Sequence, residues 1–290
     1  MRHSCFSHST QPILWMISSV FFFAVSVIFI RLLSQHIHPF QIVFFRNFTG
    51  IFVMLPVIAI EGGYKAFYTP KIKLHIIRAI LAFISLICWY TAIAHIPLAE
   101  ATTISFMTPI FATFGAIVFL NEKNNFYKWM AIFTGFLGIL ITLQPGLKII
   151  NPYSFLVIIF AILVAFSSII LKKLSKIHSS SINVSYTLIF VTPLSFLIAL
   201  PFWETISPKI IPWLITLSVA SILGHICFNK ALAEGDISIV LPFDYLKLPL
   251  IAILSYFLFQ EETGYLSWLG SLLIFGGSCY IAHQSTTMKK

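Results

Sequence analysis

Ionisable side chains inside apolar stretches are the residues of this sequence best suited to chemistry. Asp244 and Lys247 stand three positions apart within the apolar segment 238–259. A charge inside a membrane span is costly and marks a functional site by default, and residues three apart on one helix can pair and lower that cost. Arg46 lies about seven residues into segment 40–60. It predicts either an anchor for a substrate carboxylate or a snorkelling, structurally paired arginine.

Aromatic and imidazole side chains form the second group of candidates. Trp89 and Tyr90 could stack on a flat ring or stabilise a cation, or could pack in the core or face lipid. His225 could relay a proton or could bond to a neighbouring helix. The predicted solute-binding residues are therefore Arg46, Trp89, Tyr90, Phe106, His225, Asp244, Tyr245 and Lys247.

Three prolines inside apolar segments predict distorted helices. Pro109, Pro242 and Pro249 each withdraw a backbone donor, which tends to kink a helix and frees a carbonyl that a cavity could use. Pro242 and Pro249 bracket the Asp244 stretch and predict a distortion at mid-depth in the membrane. A hinge and a static kink are both compatible with these positions.

Several motifs of enzymes and metalloproteins do not occur in the sequence. It contains neither HExxH nor GxSxG, and no glycine cluster follows a strand as a nucleotide site requires. Its 4 cysteines suggest no disulfide framework or metal quartet, and its 9 histidines lack the paired spacing of a zinc site. We expect no catalytic activity, no metal and no cofactor.

The elements that must position the candidates are membrane helices. Hydrophobic residues make up 59% of the chain and charged residues only 9%, and about 20 apolar residues cross a bilayer. An all-α integral membrane protein is predicted, because helices satisfy their own backbone groups in lipid. A cleaved signal peptide is disfavoured, because the first segment is too long and ends without a cleavage site. The ten predicted spans are about 12–33, 40–60, 74–95, 98–120, 127–144, 152–174, 181–201, 211–232, 238–259 and 265–283.

Lysine and arginine set the predicted orientation. With the N-terminus in the cytoplasm, 13 of these residues flank the inner ends of the spans, whereas only Arg31, Lys148 and Lys209 flank the outer ends. Both termini are therefore predicted to be cytoplasmic. The net charge of +9 follows from this topology and from anionic lipid headgroups. We expect no nucleic-acid partner.

The sequence is duplicated internally. The stretch 94–138 returns as 233–277, and from the acidic residue onward equivalent positions are 139 residues apart. Five spans per copy make the second half enter the membrane from the opposite side, which predicts two inverted five-helix repeats around a central site. The predicted units are a cytoplasmic tail 1–11, a first repeat 12–146, a second repeat 152–284 and a cytoplasmic tail 285–290.

The repeated pattern resembles a known family. A proline, an aromatic-rich helix, Asn-Glu or Gln-Glu, a tryptophan and a glycine-rich helix occur twice, as in the EamA domain of the drug/metabolite transporter (DMT) superfamily. The resemblance covers nearly the whole chain. It implies a ten-helix secondary transporter in the bacterial inner membrane, with cytoplasmic ends and a central cavity between the halves.

Shorter stretches resemble particular branches of that superfamily. Residues 38–46, 75–78 and 230–231 are most similar to the branch that contains bacterial S-adenosylmethionine uptake carriers, whereas residues 242–246 also resemble riboflavin carriers. Asp244 departs from the basic residue of some S-adenosylmethionine carriers. The resemblance implies S-adenosylmethionine uptake, with riboflavin uptake or amino-acid or metabolite efflux as alternatives.

Three classes of function follow from these observations. A carrier of a small polar metabolite, working by alternating access, fits the duplication and the intramembrane charges. An intramembrane enzyme would need a catalytic set that the sequence lacks, and a membrane scaffold would not need Asp244 and Lys247 at mid-depth. The carrier is the prediction, either as a monomer or as a homodimer.

Overall fold

Helices account for all the regular secondary structure of the described residues. A computed structural model describes residues 11–121 and 151–260, and isolated positions at 126, 129–130, 133–134, 137, 141, 265, 269 and 272–273. The α-helices are α1 (Gln11–Leu33), α2 (Pro39–Ile60), α3 (Ile72–His95), α4 (Leu98–Ser105), α5 (Met107–Leu120), α6 (Pro152–Leu174), α7 (Ser180–Ala199), α8 (Ile211–Glu234), α9 (Ile237–Val240) and α10 (Lys247–Phe259). Short 310 helices occupy Gly63–Phe67, Leu200–Phe202, Pro208–Ile210 and Leu241–Leu246.

Seven helical stretches within the described ranges are long and apolar enough to cross a membrane. They are α1, α2, α3, Glu100–Leu120, α6, Ser180–Phe202 and Pro208–Glu234. Apart from isolated helical positions, the predicted spans 127–144 and 265–283 lie outside the described residues. Large apolar side chains on the outer faces, such as Phe52, Phe155 and Leu197, are more than half exposed, which suits a surface covered by lipid. The protein is a multi-pass membrane protein.

Side-chain caps fix where several of these helices begin. Asn151 Oδ1 accepts a hydrogen bond of 3.0 Å from the Tyr153 amide, and Pro at the next position suits the first turn. Ser179 Oγ caps α7 and His38 Nδ1 caps α2, at 3.2 and 3.3 Å. Burial lowers the pKa of His38, which keeps its imidazole neutral and able to accept.

Two of the predicted spans are interrupted. Segment 98–120 divides at Phe106 into α4 and α5, and segment 238–259 divides into α9, the 310 helix Leu241–Leu246 and α10. Each interruption lies just before a proline, Pro109 or Pro249, whose missing N–H cannot bond the carbonyl four residues earlier. Prolines in both segments predict a distorted helix, and the structure divides each segment into shorter helices there.

Contacts between helix termini define two ends of the molecule. At one end, which we call the Arg31 end, the α1 residue Arg31 donates from Nη1 to the Ile93 carbonyl at the end of α3, at 2.6 Å. At the other, the Lys172 end, the α6 residue Lys172 donates from Nζ to the Leu232 and Gly235 carbonyls at the end of α8, at 2.7 and 2.6 Å. Each cation neutralises the partial negative charge of a helix C-terminus.

The helices alternate in direction between these ends. Glu61 at the end of α2 accepts a 2.5 Å hydrogen bond from Ser179 at the start of α7, and His75 near the start of α3 stacks on Tyr186 with ring centroids 3.9 Å apart. These contacts lie at the Lys172 end. Since α1 ends at the Arg31 end and α6 ends at the Lys172 end, the two helices run in opposite directions.

The halves pack mainly against each other. Helix α1 lies along α8, α3 along α6 and α2 along α7. Small residues allow close approach at these contacts: Ser19 Oγ on α1 donates to the Gly224 carbonyl on α8 at 3.0 Å. The space that remains between the paired helices is the cavity described next.

Candidate functional site

A cavity of about 170 Å³ lies between the two halves of the chain. It is lined by helices α1, α2, α3, α6, α7 and α8 and by both interrupted segments. Its ionisable and aromatic lining residues are Phe23, Arg46, Arg78, Trp89, Tyr90, Phe160, His225, Phe228, Asp244 and Lys247.

Six of the eight predicted solute-binding residues line this cavity. The structure brings together Arg46, Trp89, Tyr90, His225, Asp244 and Lys247 from four separate parts of the chain. The first three belong to the first half and the other three to the second. A solute in the cavity would therefore contact both halves at once, as alternating access requires.

Asp244 and Lys247 form an ion pair on the interrupted segment of the second half. The Lys247 ammonium lies 2.8 Å from each carboxylate oxygen of Asp244 and donates a hydrogen bond to Oδ2. The side chains are only 13% and 12% exposed. The ammonium also lies 5.4 Å from the centre of the Phe23 ring, a cation–π distance. Asp244 belongs to the short 310 helix Leu241–Leu246.

Arg46 is almost completely buried, with 3% of its surface exposed. Its Nη1 donates to Asn47 Oδ1 at 2.7 Å, and Asn47 Nδ2 is in turn fixed by the Val43 carbonyl at 2.8 Å. Its Nε has no hydrogen-bond partner among the described residues. One nitrogen of the guanidinium is thus held by a hydrogen bond. The Tyr90 side chain lies close enough to interact electrostatically with it.

Arg78 is a lining residue that sequence reasoning missed. It lies six residues after the start of α3, is 7% exposed, and donates from Nη1 to the Asn183 carbonyl and to Thr187 Oγ1, both at 2.9 Å. In the sequence it counts as a charge at the inner end of a span and belongs to the stretch 75–78, and it was not predicted to bind a solute. The argument that singled out Arg46, an arginine well inside an apolar helix, applies equally to Arg78 and could have found it.

Aromatic and hydroxyl groups complete the walls. Trp89 stacks on Phe160 with centroids 4.6 Å apart, and His225 meets Phe23 edge to face at 4.9 Å. Hydroxyls of Ser26 and Ser221 are hydrogen-bonded across the halves at 3.2 Å. Flat faces and small hydroxyl groups suit an aromatic solute with polar substituents.

Phe106 and Tyr245 do not lie among the lining residues. They pack edge to face at 4.9 Å, and the Tyr245 hydroxyl donates to the Phe106 carbonyl at 3.3 Å. Both are buried behind the cavity wall. Their mutual contact supplies the packing and the polar partner that a solute was expected to supply.

The predicted kink residues lie at the interruptions. Pro109 is buried near the start of α5, Pro249 is near the start of α10, and Pro242 lies within the 310 helix Leu241–Leu246. The freed carbonyl groups belong to the segments that carry Ser105, Asp244 and Lys247.

Comparison with known proteins assigns the chain to a family. The model of the EamA-like transporter family matches residues 10–144 and again residues 151–282. The chain is 31% identical to the riboflavin transporter of Vibrio cholerae over 96% of this chain and 95% of that protein. It is 28% identical to the S-adenosylmethionine uptake transporter of Rickettsia prowazekii over 94% and 92%. It is 25% identical to the pseudopaline exporter CntI of Pseudomonas aeruginosa over 88% and 89%.

A solved crystal structure has the same fold. Its chain superposes with a TM-score of 0.78 at 13% identity, and the match covers 97% of this chain and 99% of that one. The family match confirms the predicted EamA domain and its two copies. It also confirms the prediction that the protein is a transporter and not an enzyme. The chain is a multi-pass membrane protein that belongs to the EamA-like transporter family.

Proposed function

We propose that this protein is a secondary transporter of the bacterial inner membrane that takes up S-adenosylmethionine by alternating access. One observation carries the proposal: the cavity between the two halves holds an Asp244–Lys247 ion pair, Arg46 and aromatic faces in one space. Charged groups at this depth are costly, and they therefore mark a solute site or a pathway. The relatives named for S-adenosylmethionine uptake and for riboflavin transport align over most of the chain.

The proposed topology has ten spans in two inverted five-helix repeats, with both termini cytoplasmic. The opposite directions of α1 and α6 support it, since these are the first helices of the two halves. The Lys172 end also carries Lys65, Lys71, Lys173 and Lys176, which favours the cytoplasm for that end. Scanning single cysteines with a membrane-impermeant thiol reagent tests it: labelling near Lys209 and not near Lys176 in intact cells is expected.

Substrate binding is proposed to involve the six predicted residues that line the cavity together with Arg78. Arg46 offers a guanidinium for a carboxylate, Asp244 a carboxylate for a cation, and Trp89 with Tyr90 aromatic surface for a ring. Phe106 and Tyr245 support the wall from behind. We further propose that the protein uses no metal ion and has no nucleic-acid partner, and that a monomer or homodimer is the working unit.

Uptake of labelled S-adenosylmethionine into proteoliposomes tests this function. Saturable uptake that unlabelled S-adenosylmethionine blocks and riboflavin or amino acids do not is the expected result. Alanine at Arg46 or Asp244 should abolish uptake per folded carrier, whereas alanine at exposed Lys209 should leave uptake unchanged. Saturable uptake of riboflavin instead would establish the alternative, and well-folded protein that moves neither would favour efflux of amino acids or other metabolites, or a scaffold.

A further inference from the structure

The two buried arginines of the cavity present the same free edge. In each guanidinium Nη1 is occupied by hydrogen bonds within the protein, and Nε has no partner among the described residues. The Nε and Nη2 donors lie on one side of the planar group and match the two oxygens of a carboxylate. Both arginines are more than nine-tenths buried and line the cavity.

No described carboxylate neutralises either guanidinium. Asp244 is the acidic residue that lines the cavity within the described ranges, and its ion pair is with Lys247. A buried guanidinium without an anion is strongly unfavourable, because desolvation removes its interaction with water. An anionic group in the cavity would supply the missing partner.

Arg78 and Asp244 lie near the same level of the membrane. Arg78 is six residues after the start of α3 at the Lys172 end, which corresponds to about 9 Å along a helix. Asp244 is seven residues after the start of α9, which follows the end of α8 at that same end. Arg46 begins from the opposite end, at the seventh position after Pro39, and therefore lies at another level.

One carboxylate oxygen of Asp244, the buried Oδ1, accepts no hydrogen bond, although the Lys247 ammonium lies 2.8 Å from it. Lys247 donates its hydrogen bond to Oδ2, and Oδ1 has only the charge contact with the ammonium. Arg78 and Asp244 both line the cavity, so a guanidinium edge without a protein partner and a carboxylate oxygen that accepts no hydrogen bond both belong to its wall. This combination matches the carboxylate and the ammonium of a zwitterion.

We propose that Arg78 and Asp244 form a subsite for a zwitterionic amino-acid group, with the substrate carboxylate on the Nε–Nη2 edge of Arg78 and its ammonium on Asp244. This inference rests on the proposed carrier function and sharpens it. It selects a solute with an amino-acid moiety, such as S-adenosylmethionine, and disfavours riboflavin, which has no carboxylate. Arg78 becomes a specificity-determining residue.

The test is competition binding to the purified full-length carrier with two probes that differ only in one group. Labelled S-adenosylmethionine is displaced by unlabelled S-adenosylmethionine or by its decarboxylated analogue. In the wild type the analogue should bind at least about tenfold more weakly, because it lacks the charged hydrogen-bond acceptor. In Arg78→Gln this ratio should fall to near one. Arg78→Lys, which keeps the charge and loses the two-donor edge, should give an intermediate ratio.

Matched variants and distinct outcomes separate this inference from the proposed function. Lys73→Gln, exposed on the same helix, should keep the wild-type ratio, and monodisperse elution with an unchanged melting midpoint shows that the Arg78 variants are folded. Equal displacement by both probes in the wild type, or a ratio that persists in Arg78→Gln, overturns the subsite alone. Binding of riboflavin without any binding of S-adenosylmethionine, or binding of neither, overturns both the subsite and the proposed substrate.

Discussion

The interrupted segments of the two halves share a backbone plan and differ in chemistry. The first breaks at Phe106 and the second at the 310 helix that contains Tyr245, 139 positions later. Each then continues as a short helix that ends in a left-handed residue, Asn121 with φ 54° or Gln260 with φ 57°. Equivalent positions thus adopt equivalent conformations.

The side chains at these positions have diverged. Ser105 and Thr108 in the first copy correspond to Asp244 and Lys247 in the second, and all four line the cavity. Two hydroxyl groups in one half therefore face an ion pair in the other. Both arginines that line the cavity, Arg46 and Arg78, belong to the first half. Duplication preserved the helix breaks, and the cavity acquired a different charge on each side.

The cations at the two ends show what the copies kept. Arg31 bonds the carbonyls of Ile93 and Ile96, and Lys172 bonds those of Leu232 and Gly235. The two pairs of carbonyls are 139 positions apart and the two cations 141. In both copies a cation of the first helix caps the third helix just before the interrupted segment. The contacts between helix ends were retained, whereas the side chains that line the cavity from the interrupted segments were not.

The largest effect is expected from making the second copy resemble the first. Asp244→Ser combined with Lys247→Thr removes the ion pair and should reduce S-adenosylmethionine uptake at least about a hundredfold, with the protein still folded. Asp244→Ser alone should also destabilise the fold by about 3 kcal/mol, because Lys247 is left buried and unpaired. Uptake kinetics and thermal unfolding in detergent measure both effects.

The matched change in the first copy is the control for that prediction. Ser105→Ala removes only a hydroxyl that bonds its own helix, to the Thr102 carbonyl at 2.7 Å. It should change uptake less than about threefold. Equal losses in Ser105→Ala and in the double variant would show that the two segments contribute alike and would remove the asymmetry.

The caps should respond alike in both copies. Lys172→Met and Arg31→Met each leave helix-end carbonyls without their cation and should lower stability by about 1–3 kcal/mol. Lys172→Arg should restore most of the loss. Melting midpoints measure the effect, and exposed Lys209→Met is the control. A loss confined to one end would mean that only that cap supports the fold.

The contact between the equivalent residues Phe106 and Tyr245 should contribute less to the free energy of unfolding than the two cations do. Tyr245→Phe removes the hydrogen bond to the Phe106 carbonyl and keeps the ring contact, so we expect a loss of about 1 kcal/mol. Tyr256→Phe, on the exposed face of α10, should change the melting midpoint by less than one third as much. A larger change in substrate affinity than in stability would place Tyr245 in the site after all.

The smallest expected effect is a difference in the pH dependence of stability between the capping residues His38 and Ser179. Burial lowers the pKa of His38 in the folded protein, so the unfolded chain binds the proton more readily and stability falls as the pH drops below about 6.5. Ser179, which caps the equivalent helix, does not titrate. His38→Ser should reduce the loss of melting midpoint between pH 8 and pH 5. An unchanged pH profile would exclude His38 as its source.

Local properties of the sequence determined the class and most helix limits. Segment 152–174 was predicted with the limits that α6 has, and 12–33 differs from α1 by one residue. Apolar length and capping residues act within a few positions along the chain, so one sequence suffices to find them. The same holds for the duplication and for Arg46, Asp244 and Lys247 as costly intramembrane charges.

Tertiary structure decided which of those residues face the solute cavity. Phe106 and Tyr245 turn to each other, Arg78 turns inward, and Arg31 caps a helix where a loop charge was expected. Each outcome depends on how α1 packs on α8 and α3 on α6, which no local pattern encodes. Hydropathy fixes that a helix crosses the membrane, whereas contacts between helices distant in sequence fix which side chain lines the cavity.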